Sequence, residues 1–315
     1  MSREEVAFFG QTDTGRVRTN NEDAFVVRYL WDEQHVLAVV IDGLGGYEGG
    51  EIAAGIARTE VEAYLERYPD GERVQLLKQA VVWANNRILE ERRNRPEAPR
   101  MGCVLTAVLV ELGERRVNMA HVGDTRLYQY VEGRLGKLSH DMSLVGYQEE
   151  KGFLTEEEAM NHPQRNLIDR DLGSCSLDAA DEEYIETAVF PLLPDSQLLL
   201  CSDGLCDMVT SARMAEVLAG QATVEQKVAT LVEAANAAGG KDNVTVVLLQ
   251  FSDGAVERPV STADAADEVF VDDRVSVTEE LPDTVPVWRQ MDWTGTLLAV
   301  LLVGVSVVYS WWMES

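Results

Sequence analysis

Apolar residues come in short bursts over the first 250 or so positions of the chain, and in one unbroken run near its end. The bursts at Val6–Phe9, Ala24–Leu30, His35–Ile41, Leu105–Leu112, Arg116–Val122, Leu127–Val131, Leu198–Cys201 and Val244–Gln250 alternate or are continuously apolar. Each predicts a half-buried or fully buried strand. Three segments have helical spacing instead: one from Ile52 and Ile56 to about Leu65, one through Val74, Leu77, Val81, Ala84 and Ile88, and one through Val224, Val228, Leu231, Ala235 and Ala238. Helices placed between runs of strands predict sheets sandwiched between helical layers. Residues 140–175 break the rhythm, being polar with short helical pieces, and predict a surface flap.

The run at the end is different in kind. No charged side chain occurs from Trp293 to Met313. As a helix it is about 30 Å long, the thickness of a bilayer's hydrocarbon core. Trp293 at one end and Tyr309, Trp311 and Trp312 at the other suit the two interfaces. Arg289 precedes the span and only Glu314 and Ser315 follow it, so the expectation is a single transmembrane helix with the main domain in the cytoplasm. Residues 252–286 carry ten acidic side chains against two basic ones and no sustained period, which predicts an acidic tether without fixed structure.

Charge narrows the function. A formal charge of −27 over 315 residues excludes a nucleic-acid ligand, which needs a basic footprint, and is compatible with bound cations. The four cysteines, Cys103, Cys175, Cys201 and Cys206, show no Cys-x-x-Cys spacing, and the start has no basic region before a long apolar one. Reduced thiols and no secretory signal are expected.

The chemistry collects where strands end. "VVIDGLGGYEGGE" closes an apolar run on Asp42, and "LLLCSDG" repeats the device at Asp203. "AHVGDTR" puts Asp124 after a strand, "GGKDNVTVV" puts Asp242 before one, and "NNEDAFVV" puts Glu22 and Asp23 at the mouth of another. Carboxylates gathered together repel and raise one another's pKa unless cations neutralise them. Oxygen-only donors, without a His or Cys cluster, point to magnesium or manganese.

In chain order "RVRTNNEDAF", "VVIDGLGGYEGGE", "MGCVLTAVLV", "AHVGDTRLYQY", "HPQRN", "LLLCSDGL" and "GGKDNVTVV" resemble the metal-dependent type 2C serine/threonine protein phosphatases of bacteria, over about residues 5–251. The resemblance implies an α+β fold, an α-β-β-α sandwich of two antiparallel sheets. It makes residues 1–252 a phosphatase domain, beside the tether (253–286) and anchor (287–315) read from composition. It implies two Mn2+ or Mg2+ ions, with a third in some members, and a metal-activated water that hydrolyses phosphoserine and phosphothreonine without a phosphoenzyme. Asp42 matches the aspartate bridging two metals, Gly43 the residue whose carbonyl binds one, and Asp203 and Asp242 the other ligands. Glu22 and Asp23 match an acidic pair acting on or through metal waters, and Asn243 a residue supporting the loop. Arg18 matches the arginine that grips the phosphate. Asp124, with Asp203 and Asp207, matches the third-metal site. His162 and Arg165 fall in the flap, as substrate contacts or as flap scaffolding, the latter being the expectation for His162. Phosphoproteins, a serine/threonine kinase and its targets among them, are the partners implied, for a monomeric catalytic domain.

Departures from the family pattern leave the ligands intact. Leu44 stands where eukaryotic relatives carry a histidine proposed as general acid. Cys103 and Val104 replace a common threonine pair, read as a packing change, and Met142 in "HDMS" alters the flap. His121 is expected to be a hydrogen-bonded structural group. A non-catalytic scaffold for a phosphorylated partner would be favoured by loss of Asp42, Asp203 or Asp242, and all three are present. A calcium-binding protein would gather its ligands in one loop, whereas here they span about 220 residues.

Overall fold

The computed structural model describes residues 5–45, 49–181 and 183–252. Along them run strands β1 (Glu5–Asp13), β2 (Ala24–Leu30), β3 (Asp32–Leu44), β4 (Gly102–Glu111), β5 (Arg116–Val122), β6 (Arg126–Val131), β7 (Arg134–Lys137), β8 (Glu186–Pro191), β9 (Gln197–Cys201) and β10 (Val244–Ser252). The helices are α1 (Gly49–Arg67), α2 (Arg73–Asn94), α3 (Leu144–Glu150), α4 (Glu156–Met160), α5 (Asp203–Cys206), α6 (Ser211–Ala219) and α7 (Val224–Ala237). The expected tether and transmembrane anchor lie outside the described residues. Among those described, no helix is long and apolar enough to cross a membrane.

Two five-stranded sheets form, in the orders β1-β10-β9-β6-β7 and β2-β3-β4-β5-β8, and all their pairings are antiparallel. The period of two sorts the side chains of each central strand. In β3, Val36, Ala38 and Val40 enter the layer between the sheets, while Leu37, Val39 and Ile41 pack under α1 and α2. In β10, Val247, Leu249 and Phe251 enter the same middle layer, and Val244, Val246 and Leu248 face α6 and α7. This explains why these strands read as continuously apolar: both faces are covered. Each of these valine, leucine, isoleucine and phenylalanine side chains contributes roughly 1.5–3 kcal/mol by leaving water. The α-β-β-α sandwich expected from the resemblance is the observed architecture.

Boundaries move where backbone pairing, not hydrophobicity, decides them. β1 continues through the polar stretch Gly10–Asp13 because each residue keeps a partner on β10, out to Asp13 opposite Val244. β3 likewise runs past Ile41, pairing Asp42 with Val104 and Gly43 with Cys103. β7 and β8 escaped the sequence reading. One is four residues long, and the other is an edge strand ending in Pro191 whose side chains are half-exposed or exposed. At α7 a capping box supplies the start signal: Gln226 N donates to Thr223 Oγ1 and Thr223 N to Gln226 Oε1.

Candidate active site

The strand ends converge as the sequence pattern requires. Asp42 and Glu22 come from the β2-β3 sheet, Asp203 from the end of β9, Asp242 from just before β10, and Asp124 from the β5–β6 link. With Arg18 they line one cleft of about 140 Å3 that straddles both sheets. Leu44 also lines it, at the end of β3.

Both Asp-Gly pairs are explained by crowding of backbone on backbone. A Cβ on Gly43 would overlap the carbonyl oxygen of Gly50 and stand 2.5 Å from that of Glu22. A Cβ on Gly204 would collide with the carbonyl of Asn243. The glycines therefore let three loops close to one another, and this closure sets the carboxylates side by side.

The electrostatics follow from that closure. Burial pushes Asp42 well above the usual carboxylate range, and Asp23, Asp203, Asp124 and Asp242 push it further. Asp203 is raised in the same way by burial and then by Asp207, Asp124 and Asp242. Its Oδ1 is buried with no hydrogen-bond partner. Asp23 sits beneath the cleft, where Ser202 Oγ and Thr245 Oγ1 donate to its Oδ2 at 2.8 and 2.6 Å; burial lifts it to about 7 despite these bonds. An orphaned buried carboxylate oxygen among all-oxygen donors fits a divalent cation.

Two arginines hold the carboxylates meanwhile. Arg18 Nη2 donates to Asp242 Oδ2 at 2.7 Å from a half-exposed position. Arg165, read as a substrate or flap residue, has only 4% of its side chain exposed. Its Nε donates to Asp207 Oδ1 at 2.7 Å and its Nη1 to Asp124 Oδ2 at 3.1 Å. The reason is charge balance: in this acidic pocket the guanidinium neutralises the two carboxylates assigned to a third metal. Among the described residues no three His, Cys, Asp or Glu side chains already form a compact ligand cluster.

The supporting residues are equally definite. Asn243 accepts from Glu22 N at 2.8 Å and donates to the carbonyls of Thr14 and Asn20 at 3.0 and 2.8 Å, tying the Arg18 loop to β10. His121 is fully buried, bonded to Thr106 Oγ1 and to the carbonyls of Gly123 and His140, and burial lowers its pKa, as suits a structural group. Cys103 and Val104 are core residues. Met142 N donates to Gly123 O at 2.7 Å and Asp169 N to Met142 O at 2.7 Å, so the flap is pinned beside the cleft. His162 Nδ1 accepts from Gln164 N at 3.2 Å. It lines a second cavity, of about 340 Å3, which shares Asp203 and Asp242 with the first.

Sequence reasoning missed Arg126 and Asp141. They form a buried pair, Nη2 to Oδ2 at 2.6 Å, and Arg126 also donates to Glu149 at 2.7 Å. Burial alone would raise Asp141, but Arg126, Lys137 and Arg165 outweigh it and hold it at about 2. The "GDTR" string contains the arginine; what it lacks is the partner 15 residues later.

Comparison with known proteins agrees with this arrangement. The pattern of the Protein phosphatase 2C family matches residues 12–257. Serine/threonine phosphatase stp of Listeria innocua is 33% identical over 244 residues, covering 76% of this chain and 94% of that protein. The Mycobacterium tuberculosis serine/threonine phosphatase PstP/Ppp superposes with a TM-score of 0.68 at 31% identity, over 78% of this chain and 99% of that one. The catalytic domain of PstP solved in complex with two manganese ions gives a TM-score of 0.67 at 30% identity, over 79% and 99% of the two chains.

Proposed function

The chain belongs to the protein phosphatase 2C family and is a serine/threonine phosphatase, and from that premise we propose that it dephosphorylates phosphoserine and phosphothreonine of proteins at the Asp42–Asp203–Asp242 cleft, using two Mn2+ or Mg2+ ions. Asp42, Asp203, Asp242 and the Gly43 carbonyl would hold the ions, with Glu22 and Asp23 behind them. Bound there, such ions supply Lewis acidity toward water and offset the charge of the phosphate. The observation that carries this reading is Asp203 Oδ1, buried and unpartnered among carboxylates whose pKa values burial and mutual repulsion raise.

The chain's own groups divide the rest of the work. Arg18 is half-exposed at the cleft and presents a fork that matches two phosphate oxygens. To do so it has to exchange Asp242 for the substrate, an exchange favoured once Asp242 is taken by a cation. Leu44 offers no proton, so no side chain at that position protonates the leaving alkoxide. Arg165 and Arg126 hold the flap and Asp124 in place. The second cavity, bordered by His162, Leu167, Met208 and Lys241, gives the polypeptide on either side of the phosphoresidue somewhere to lie.

The reading extends to a place in the cell. The uncharged run Trp293–Met313 supports a membrane-spanning anchor in the cytoplasmic membrane, and the acidic stretch before it supports a tether for the catalytic domain. Membrane-bound serine/threonine kinases and their targets are the partners such a position favours. The test is phosphate release from phosphoserine, phosphothreonine and phosphotyrosine peptides with manganese or magnesium, and with EDTA. Release from the first two, abolished by EDTA, is expected; turnover that survives complete chelation would overturn the metal assignment.

A further inference from the structure

The two strands that carry Asp203 and Asp242 at one end carry Gln197 and Gln250 at the other, where these glutamines face each other in register. Lys227 of α7 lies between them, its Nζ donating to Gln197 Oε1 at 3.1 Å and Gln250 Oε1 at 3.2 Å. Gln197 is fixed in that orientation because its Nε2 donates to Leu218 O at 3.1 Å. Lys227 is only 4% exposed, and no carboxylate forms an ion pair with it among the described residues. An ammonium has three donors, and here two go to neutral amides. A charge so far out of water ordinarily has a counter-charge.

Beside it is a cavity of about 250 Å3. Tyr130, 9% exposed, lines this cavity, and its hydroxyl has no hydrogen-bond partner among the described residues. Leu218, Ala219 and Gly220 at the end of α6, with Gln221 and Ala222 of the link to α7, form another wall. Burial lowers the pKa of Lys227, the response of a cation that lacks its counter-ion. Asp195 also lines the cavity, so Lys227 is its cationic side chain and the place an anion would be held.

We propose that this cavity is a binding site for one small oxyanion, held by the Lys227 ammonium and the Tyr130 hydroxyl. Its volume is below the range of roughly 300–1,000 Å3 usual for drug-sized ligands, so the anion is small. It is not the product site, since β9 separates Gln197 from Asp203 by roughly 20 Å. The inference does not depend on the phosphatase reading.

The experiment is calorimetric titration of the full-length chain, in EDTA and at constant ionic strength, with malonate and separately with sulfate. In the metal-free catalytic cleft Arg18 is held by Asp242, and the same titration of Arg18→Ala separates any anion binding there from binding at Lys227. Saturable binding of one malonate or one sulfate per chain is expected, and the tighter of the two says whether the natural ligand is a carboxylate or a tetrahedral oxyanion. Tyr130→Phe should weaken binding about fivefold or more while leaving the melting temperature of the free protein unchanged, because the hydroxyl it removes has no partner. Lys227→Met should abolish binding; if that variant fails to fold, Tyr130→Phe decides. Failure of the wild type to bind either probe saturably, or binding that Tyr130→Phe leaves unchanged, overturns the proposal.

Discussion

Arg165 and Asp207 meet at 2.7 Å, Nε to Oδ1, with 4% and 15% of their side chains exposed. The same guanidinium reaches Asp124 at 3.1 Å, so one flap arginine occupies the place between two carboxylates that a third cation would take. Removing it by Arg165→Met leaves buried acids unpaired, which costs about 3 kcal/mol or more in the metal-free protein. Millimolar manganese should recover more of the lost melting temperature in the variant than it adds to the wild type. An equal response of the two proteins to manganese would mean that arginine and cation do not compete there.

Asp42→Asn should reduce manganese-dependent hydrolysis of p-nitrophenyl phosphate at least tenfold, about 1.4 kcal/mol of barrier or more. Metal-free stability should be equal or higher, because the substitution removes a buried carboxylate that four other acids oppose. Calorimetry without metal, beside the rate, separates loss of chemistry from loss of fold.

Arg18→Ala should raise KM for a phosphopeptide, since it removes a cation positioned for the phosphate. The ion pair with Asp242 adds a second effect: with its competitor gone, Asp242 should bind manganese a few-fold more tightly. Stability should change little, because the pair is substantially exposed. A metal titration that weakens in Arg18→Ala would show that the arginine organises the site, not that it competes for it.

Stability of the metal-free protein should fall as pH rises. Burial holds Asp23 at about 7 and Asp207 at about 8, whereas unfolded carboxylates titrate near 4. Between about pH 4 and 8 the folded state therefore binds more protons than the unfolded one, and stability present below that window is lost across it. Asp141, held at about 2, acts in the opposite sense but only below pH 4. Melting temperatures in EDTA should be lower at pH 8.5 than at pH 6, and manganese should restore the difference. A melting temperature that climbs over this range would contradict the buried-carboxylate account.

Deletion of residues 287–315 should release enzyme from membranes with kcat on an aryl phosphate nearly unchanged, because the cleft residues all precede Val244. Activity on a membrane-bound phosphoprotein should fall, since tethering supplies effective concentration and not contacts. Fractionation with a carbonate wash decides the first point; full-length protein that washes off has no spanning helix.

The sequence by itself determined the layers and the list of acids. Period-two and period-3.6 patterns depend only on which side chains avoid water, and the continuously apolar stretches of β3, β4, β9 and β10 already state that both faces of each sheet are covered. Asp42, Asp203 and Asp242 were legible because they end strands in recurring strings. Tertiary structure alone decided the rest. The reach of β1 and β3 into polar residues came from backbone pairing, which has no hydrophobic signature. Gly43 and Gly204 owe their identity to backbone carbonyls of Glu22, Gly50 and Asn243 that cross them, and for Gly204 the partner is 39 residues away in the chain. Arg165 could be placed in the flap from its motif, but not among Asp124 and Asp207. That choice depends on a balance of buried charges drawn from four separate segments, and such a balance exists only once folding has removed the water between them.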